Sequence, residues 1–162
     1  MSKRRRKIAE GERQPASVTV TALEDKIDSF RGKFRWLSNF HEQPVEFEGL
    51  EFASTENAYQ AAKTLDLAGR RAFQMVRPGK AKRMGQKVEL REDWDEVKID
   101  IMYQLNKQKF DRCPELAMKL METRGKLLIE GNTWGDSFWG VNEDGVGRNE
   151  LGKILMRIRA EL

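Results

Sequence analysis

The chain has 162 residues, of which 39% are hydrophobic and 35% are charged, and this length suits one domain with a hydrophobic core. No apolar run approaches the roughly 18–20 residues that a membrane-spanning helix needs. The basic N-terminus is not followed by the apolar segment of a secretory signal. Cys113 is the only cysteine, so an intramolecular disulfide is excluded and a reducing, cytoplasmic location is expected.

The positive net charge is concentrated at the N-terminus. Residues 1–13 contain six Lys and Arg and two Glu, which accounts for the whole formal charge of +4. Residues 1–20 are therefore predicted to form a disordered basic arm, and residues 21–162 a separate domain. The arm is either a weak contact for nucleic acid or a solvated tail without a specific role. Because the rest of the chain is neutral, no broad groove for a nucleic-acid backbone is expected.

The predicted elements indicate an α+β fold, in which a small sheet packs against several helices in a single domain. Short strands are predicted at residues 27–30 and 34–36. Alternating residues at 45–47 and 50–52 flank the turn residues Glu48 and Gly49, which predicts a tight hairpin. Helices follow at 55–65, 67–76, 78–88, 94–110, 115–124 and 150–162, with a strand at 127–130 and a loop at 131–148. The expected N-caps are Ser54 or Thr55, Asp66, Asp93 and Asn149.

His41 is the only histidine, which excludes most familiar kinds of catalytic site. A Ser-His-Asp triad would need His41 together with a nucleophile elbow, and no such pattern is present. Zinc sites normally use several His or Cys ligands, and the chain offers only His41 and Cys113. No paired acidic motif supports Mg²⁺ and no Gly-rich phosphate loop is present, so neither a metal nor a cofactor is predicted. Catalysis, if any, must use carboxylates, lysines and hydroxyls.

Three segments of the chain supply such groups, and the first is residues 54–63. On a helix, Glu56, Tyr59 or Gln60, and Lys63 lie along one stripe, because they are spaced by three, four and seven residues. This stripe is either the wall of a pocket or the solvated face of an amphipathic surface helix.

The second segment, residues 134–140, contains Trp134, Asp136 and Trp139 in a loop punctuated by glycines. Large aromatic residues in a loop either anchor it in the core or stack on a ligand. The third segment, residues 36–40, places Ser38 and Asn39 between apolar residues, which fits either a binding segment or an ordinary turn.

These segments, in this order, resemble the NADAR family, also called YbiA-like. The matching motifs are WLSNF at 36–40, FEG at 47–49, FASTENAYQAAK at 52–63, AKRMG at 81–85, Trp94, Lys109-Phe110, GDSFWGV at 135–141 and GRNELGKILMRIR at 147–159. The match covers roughly residues 27–162. Each motif is weak alone, but their combination and order are specific.

The resemblance implies a YbiA-like α+β fold and hydrolysis of an N-glycosidic bond at a ribose. Some members of the family are linked to phosphoribosylamino-pyrimidines, the reactive early intermediates of riboflavin synthesis. A small ribosylated metabolite of this kind is therefore the expected substrate, without a membrane partner. Two alternatives remain: an ADP-ribosyl-guanine hydrolase acting on nucleic acid, and a non-catalytic module that binds ADP-ribose or a NAD-like ligand.

The resemblance and the three segments together nominate the site residues. The predicted catalytic residues are Glu56, Lys63 and Asp136. The predicted substrate-binding residues are Ser38, Asn39, Phe40, Tyr59, Arg83, Trp94, Trp139 and Gly140.

Each predicted catalytic residue has an expected role. Glu56 is expected to stabilise positive charge on the sugar and to activate water. Asp136 is expected to hold ribose hydroxyls or to share the acid/base work. Lys63 is expected to bind a phosphate or to neutralise the carboxylates, or alternatively to attack C1 and form a Schiff base. Arg83 or Arg148 is expected to bind the substrate phosphate.

Overall fold

A computed structural model describes residues 25–162. The basic arm predicted at residues 1–20 lies outside the described residues, as do residues 21–24. The strands are β1 (Lys26–Ile27), β2 (Val45–Phe47), β3 (Leu50–Phe52) and β4 (Leu127–Leu128). The helices are a 3-10 helix (Gly32–Leu37), α1 (Thr55–Ala62), α2 (Leu67–Arg71), α3 (Pro78–Gly85), α4 (Trp94–Arg112), α5 (Pro114–Glu122) and α6 (Glu150–Glu161).

The architecture is α+β, as the sequence predicts, but the strands form two two-stranded sheets instead of the one small sheet that was expected. β1 pairs in parallel with β4, which comes about 100 residues later in the chain, since Ile27 lies opposite Leu128. β2 and β3 form the predicted antiparallel hairpin. Its turn residues Glu48 and Gly49 have φ of 44° and 87°, the left-handed values that a two-residue hairpin turn requires.

Helix α1 lies at the centre of the molecule, and all eight of its residues are buried. It packs against α3, α4 and the β2–β3 hairpin. Ala58, Ala61 and Ala62 are fully buried, and their small side chains let neighbouring elements approach closely. A polar helix segment that is buried all round must direct its polar groups towards each other or towards a cavity.

The prediction of a strand at residues 34–36 is wrong, because these residues lie in the 3-10 helix. The chain turns at Gly32, where φ is 56°, and the backbone amide of Ser38 donates to the carbonyl of Arg35 at 2.9 Å. Trp36 and Leu37 are both buried. Two consecutive side chains cannot both face one side of a strand, whereas adjacent residues of a tight helix can share a buried sector.

Several predicted elements are longer or shorter in the structure. The strand predicted at 27–30 covers only Lys26–Ile27, and that at 127–130 only Leu127–Leu128. The helices predicted to end at 65, 76, 88 and 124 end at Ala62, Arg71, Gly85 and Glu122, while the one predicted to end at 110 continues to Arg112. Local sequence patterns define the ends of elements poorly, since neighbouring elements decide where backbone pairing stops.

Two of the predicted N-caps form, and two do not. The side chain of Ser54 accepts from the amide of Asn57, and that of Asp66 accepts from the amide of Gly69. Asp93 makes no capping hydrogen bond and instead pairs with Arg91 at 2.6 Å. Asn149 adopts a left-handed conformation and makes no cap, because its side chain is used in a tertiary contact. Within residues 25–162, no helix is both long and apolar enough to cross a membrane.

Candidate active site

Glu56 lies in the first turn of α1 with its side chain buried. Its backbone amide donates to the carbonyl of Asn39 at 3.1 Å, which joins the helix start to the 36–40 segment. One turn later, Gln60 Nε2 donates to Glu56 Oε1 at 2.8 Å. Burial raises the pKa of Glu56, and the positive charges of Lys82 and Lys63 oppose that rise. A buried carboxyl with a raised pKa is a candidate for acid/base work.

Lys63 lies at the other end of α1, where it is the C-cap residue. Its side chain is half-buried, and Nζ is 5.7 Å from the centroid of the Tyr59 ring. Burial lowers the pKa of Lys63, while the negative charge of Glu56 opposes that change. A lowered pKa increases the fraction of neutral amine, which is the nucleophilic form. The predicted stripe from Glu56 to Lys63 therefore lines a pocket instead of facing solvent.

A cavity of about 200 Å³, called here the first cavity, lies beside this stripe. It is formed by α1, the 36–40 segment and the loop at 131–148. The predicted site residues that line it are Ser38, Asn39, Phe40, Glu56, Tyr59, Lys63, Asp136 and Trp139. Segments from three distant parts of the chain therefore meet at one place, as the resemblance implies.

The aromatic wall of the first cavity is built around Tyr59. Trp139 Nε1 donates to the Tyr59 hydroxyl at 3.1 Å, and the two rings meet edge-on with centroids 5.5 Å apart. Trp94 packs on Tyr59 with ring centroids 5.1 Å apart, but it is buried and does not line the cavity. Burial raises the pKa of the Tyr59 hydroxyl, so it remains protonated. Trp94 thus fixes the position of Tyr59, and direct contact between Trp94 and a ligand stays a prediction.

Asp136 organises the loop that carries Trp139. Its Oδ1 accepts from the backbone amides of Phe138 and Trp139 at 3.0 and 2.9 Å. The amide side chain of Asn132 brackets its backbone, accepting from Asp136 N at 2.9 Å and donating to Asp136 O at 2.8 Å. Asp136 lines the first cavity, but one of its carboxylate oxygens is already used to hold the loop.

Gly140 does not line the first cavity, although the sequence nominated it as a binding residue. It is buried against the chain that follows β4, where a Cβ atom would lie 2.0 Å from the carbonyl oxygen of Glu130. The same Cβ would lie 2.9 Å from Glu130 Cγ. Only glycine permits this approach, so Gly140 acts in packing.

The structure adds lining residues that the sequence analysis did not nominate: Gln60, Lys82, Gln86, Met102, Glu130, Trp134 and Leu151. Lys82 lies in α3 and Gln86 is the C-cap residue of that helix, four positions later, so both lie on the side of the helix that meets the cavity. Of the two basic residues of the AKRMG motif, Lys82 lines the first cavity and Arg83 does not. Glu130 had no signal in the sequence, since it is a single carboxylate after a two-residue strand.

A second cavity, of about 610 Å³, adjoins the first. Both cavities are lined by Ser38, Phe40, Lys82, Gln86, Glu130 and Trp134. The second cavity also has Arg31, Arg35 and Arg83 in its wall. The Arg31 guanidinium and Lys82 Nζ lie 5.4 and 4.6 Å from the centroid of Trp134, which is 53% exposed.

These cationic side chains give the second cavity the character of an anion site. Among residues 25–162, none of Arg31, Arg35, Lys82 and Arg83 forms an ion pair with a carboxylate. Arg148, the other predicted phosphate ligand, instead pairs with Glu150 at 3.0 Å and lines neither cavity. Arg83 is therefore better placed than Arg148 to bind a phosphate.

Comparison with known proteins identifies the family. The family model described as the NADAR domain matches residues 28–162. The chain belongs to the NADAR family. It is 35% identical over 128 residues to the N-glycosidase YbiA of Escherichia coli K12, a match that covers 77% of this chain and 79% of that protein. The NMR structure of E. coli YbiA matches with a TM-score of 0.74 at 32% identity, covering 85% of this chain and 84% of that one.

A plant protein is also similar to this NADAR domain. The chloroplastic riboflavin biosynthesis protein PYRR of Zea mays is 31% identical over 164 residues, a match that covers 88% of this chain but only 26% of that protein. The NADAR match contains every predicted site residue, from Ser38 to Gly140.

Helix α4 supports the 36–40 segment of this NADAR domain from behind. Lys109 is fully buried and its Nζ donates to the carbonyl of Ser38 at 2.9 Å, while burial lowers its pKa to about 7. Asn106 Nδ2 donates to Asn39 Oδ1 at 3.2 Å. These contacts explain why polar residues occur on the buried face of α4.

The part of the chain that the structure describes contains no group of three or more His, Cys, Asp or Glu residues arranged to hold a metal ion.

Proposed function

We propose that this chain is an N-glycosidase that hydrolyses the ribosyl C–N bond of a small nucleotide-like metabolite, such as an early riboflavin-pathway phosphoribosylamino-pyrimidine. The observation that carries the proposal is the buried Glu56 carboxyl and the half-buried Lys63 amine on one stripe of α1, facing the same aromatic-walled cavity. Two relatives support it, since their names are N-glycosidase YbiA and riboflavin biosynthesis protein PYRR.

Glu56 fits the demands of the bond that breaks. Breaking a ribosyl C–N bond builds positive charge on the sugar ring, and a carboxylate in a water-poor pocket stabilises that charge strongly. The same carboxylate accepts a proton from an attacking water. The hydrogen bond from Gln60 holds Glu56 in one orientation, so little reorganisation is needed during the reaction.

For Lys63, the surroundings favour the role of nucleophile over that of phosphate ligand. Burial lowers the pKa of Lys63, whereas Arg83, Arg31 and Arg35 supply permanent positive charge in the second cavity. In this route, the amine of Lys63 adds to C1 while the electron pair of the C–N bond leaves with the nitrogenous base. After the Lys63 nitrogen loses a proton, its lone pair forms the C1=N bond while the C1–ring oxygen bond breaks, and the ring oxygen takes up a proton. Water hydrolyses the resulting imine, which releases the sugar and restores the amine.

The second cavity favours a substrate with at least one phosphate. The first cavity, at about 200 Å³, is below the range of typical small-molecule sites, so a ribosylated nucleotide needs additional space. The adjoining 610 Å³ with its arginines offers that space and the charge. The same observation favours the second candidate function, hydrolysis of ADP-ribosyl-guanine, because that substrate carries two phosphates and a second nucleoside.

A product screen by mass spectrometry tests the proposal. The protein is incubated, in EDTA, with a phosphoribosylamino-pyrimidine and separately with an oligonucleotide carrying ADP-ribosylated guanine. We expect release of the free pyrimidine and ribose 5-phosphate from the first substrate, and much less from Glu56→Gln protein.

Each other outcome of the screen has a clear meaning. Release of guanine-containing oligonucleotide alone would favour the second candidate. Tight binding of ADP-ribose without turnover of either substrate would contradict an enzyme and indicate a binding module. Loss of activity in EDTA would contradict metal-independent chemistry.

A further inference from the structure

Glu130 is a second carboxylate of the site, and its backbone is held on both sides. It follows β4, and its amide donates to Asn149 Oδ1 at 3.0 Å. Its carbonyl accepts from the amide of Val141 at 2.8 Å, and Gly140 packs directly against it. Asn149 Nδ2 also donates to the carbonyl of Leu128 at 2.9 Å, which fixes β4 to the start of α6. The side chain of Glu130 therefore projects from a backbone segment that is held firmly in place.

That side chain lines both the first and the second cavity. Its Oε2 atom is buried and makes no hydrogen bond within the described residues. A buried polar atom without a partner costs about 1–3 kcal/mol, so such atoms are uncommon in folded proteins, and a catalytic role is one of the reasons that retain them. Asp136 differs in this respect, because its Oδ1 already accepts two backbone amides.

Burial and the neighbouring negative charges favour the protonated form of Glu130. Burial, together with the negative charges of Asp136 and Glu56, raises the pKa of Glu130 to about 7, against the opposing charges of Lys82 and Arg31. A carboxyl of this kind holds a proton near neutral pH and delivers it readily, as a general acid must. Burial also raises the pKa of Glu56, but the hydrogen bond from Gln60 and the charges of Lys82 and Lys63 oppose that rise and favour its ionised form. Glycoside hydrolysis uses two carboxyls, one that donates a proton and one that accepts a proton.

We propose that Glu130 is the general acid of the reaction and protonates the leaving nitrogen, while Glu56 acts as base and stabilises the sugar cation. This inference rests on the proposed function and deepens it. The proton moves from the Glu130 carboxyl to the leaving nitrogen as the electron pair of the C1–N bond moves to that atom. A water oxygen, or the amine of Lys63 in the imine route, bonds to C1 and its proton goes to Glu56. Glu130 recovers its proton from solvent, and Glu56 releases the proton that it accepted to solvent.

Glu130 lies where the two cavities adjoin. As the carboxylate shared by both, Glu130 is within reach of a scissile bond that lies where the cavities meet. We expect the substrate phosphate to lie in the second cavity, near Arg83, and C1 of the ribose to lie in the first cavity, near Glu56.

The decisive experiment compares Glu130→Gln with the wild type and with a control, Glu143→Gln, at an exposed glutamate in the 131–148 loop. Turnover is measured from pH 5 to pH 9 on N-aryl ribosylamine 5-phosphates. The leaving group at C1 is either a basic arylamine or a weakly basic nitroarylamine. With the basic amine, we expect Glu130→Gln to reduce kcat by about 100-fold or more. With the nitroarylamine we expect a much smaller loss, because that leaving group departs with little protonation.

The pH profile gives a readout that a structural role would not change. In the wild type, kcat should fall as pH rises through about 7, and this alkaline decline should be absent in Glu130→Gln. Equal losses with both leaving groups, or a Glu130→Gln kcat within threefold of wild type, would overturn the role of Glu130. If Glu130→Gln does not fold, the leaving-group dependence and alkaline decline of the wild type still decide. A wild type that turns over no ribosyl substrate would overturn the proposed function itself.

Discussion

We expect the buried amine of Lys109 to lower the stability of the folded protein. The change is Lys109→Met, which replaces the buried amine with an unbranched apolar side chain of similar length. Lys109 is fully buried, and the hydrogen bond from its Nζ to the carbonyl of Ser38 is its only one within the described residues. Removing the amine eliminates a buried charge and also a hydrogen bond, and the two effects have opposite signs.

The lowered pKa of Lys109 determines how much the buried amine reduces the free energy of unfolding. Lowering that pKa from 10.5 to about 7 corresponds to about 5 kcal/mol, at 1.36 kcal/mol per pH unit. Between pH 7 and pH 10.5 the unfolded chain holds a proton that the folded protein has released, so the free energy of unfolding rises with pH in this window. The full cost is present below pH 7. The lost hydrogen bond to Ser38 offsets about 1–3 kcal/mol of it.

We therefore expect Lys109→Met to be more stable than the wild type by about 2–4 kcal/mol at pH 6. This advantage should disappear, and reverse by about 1–3 kcal/mol, at pH 10.5, where only the lost hydrogen bond remains. The assay is urea unfolding followed by tryptophan fluorescence at pH values from 6 to 10.5. Lys119→Met, at an exposed lysine of α5, is the control and should show no such trend.

Two results would refute this reasoning. One is a stability difference between Lys109→Met and the wild type that does not change with pH, which would mean that the amine does not release its proton on folding. The other is a variant less stable than the wild type at pH 6.

Three further predictions concern the site. Glu56→Gln should keep its fold and the hydrogen bond from Gln60 but lose two to four orders of magnitude in turnover, and near-normal kcat would remove Glu56 from the mechanism. Borohydride added during turnover should leave a substrate adduct on Lys63, detected by mass spectrometry of tryptic peptides; its absence would favour direct attack by water. Gly140→Ala should lower the free energy of unfolding by about 1–3 kcal/mol, because a Cβ would lie 2.0 Å from the carbonyl of Glu130; an unchanged melting temperature would contradict this.

Features that depend on a few neighbouring residues were predictable from the sequence. The turn at Glu48 and Gly49 imposes the hairpin, because its left-handed conformations match the twist of the strands. Ser54 begins α1 by binding an amide of the first turn, and the seven-residue spacing then places Glu56 and Lys63 on one face.

Predictions failed where distant parts of the chain compete for the same groups. Asparagine is a common N-cap residue, but the side chain of Asn149 instead forms hydrogen bonds with the backbone of Leu128 and Glu130. Asp93 similarly pairs with Arg91 instead of capping α4. Local propensity favours a cap at both positions, and a tertiary contact outweighs it.

The candidate site divides in the same way between sequence and tertiary structure. One histidine and one cysteine were enough to predict, before any fold was known, a site of carboxylates, lysines and aromatic residues. The sequence by itself also determined the stripe on α1, because helical periodicity is local.

Only the tertiary structure decided that this stripe is buried and not solvated. It also placed Trp94 behind Tyr59 and brought Glu130 to the first cavity together with Glu56, 74 positions away in the chain. Burial and the charges of distant neighbours set the pKa values of these groups, and neither quantity exists until the chain has folded.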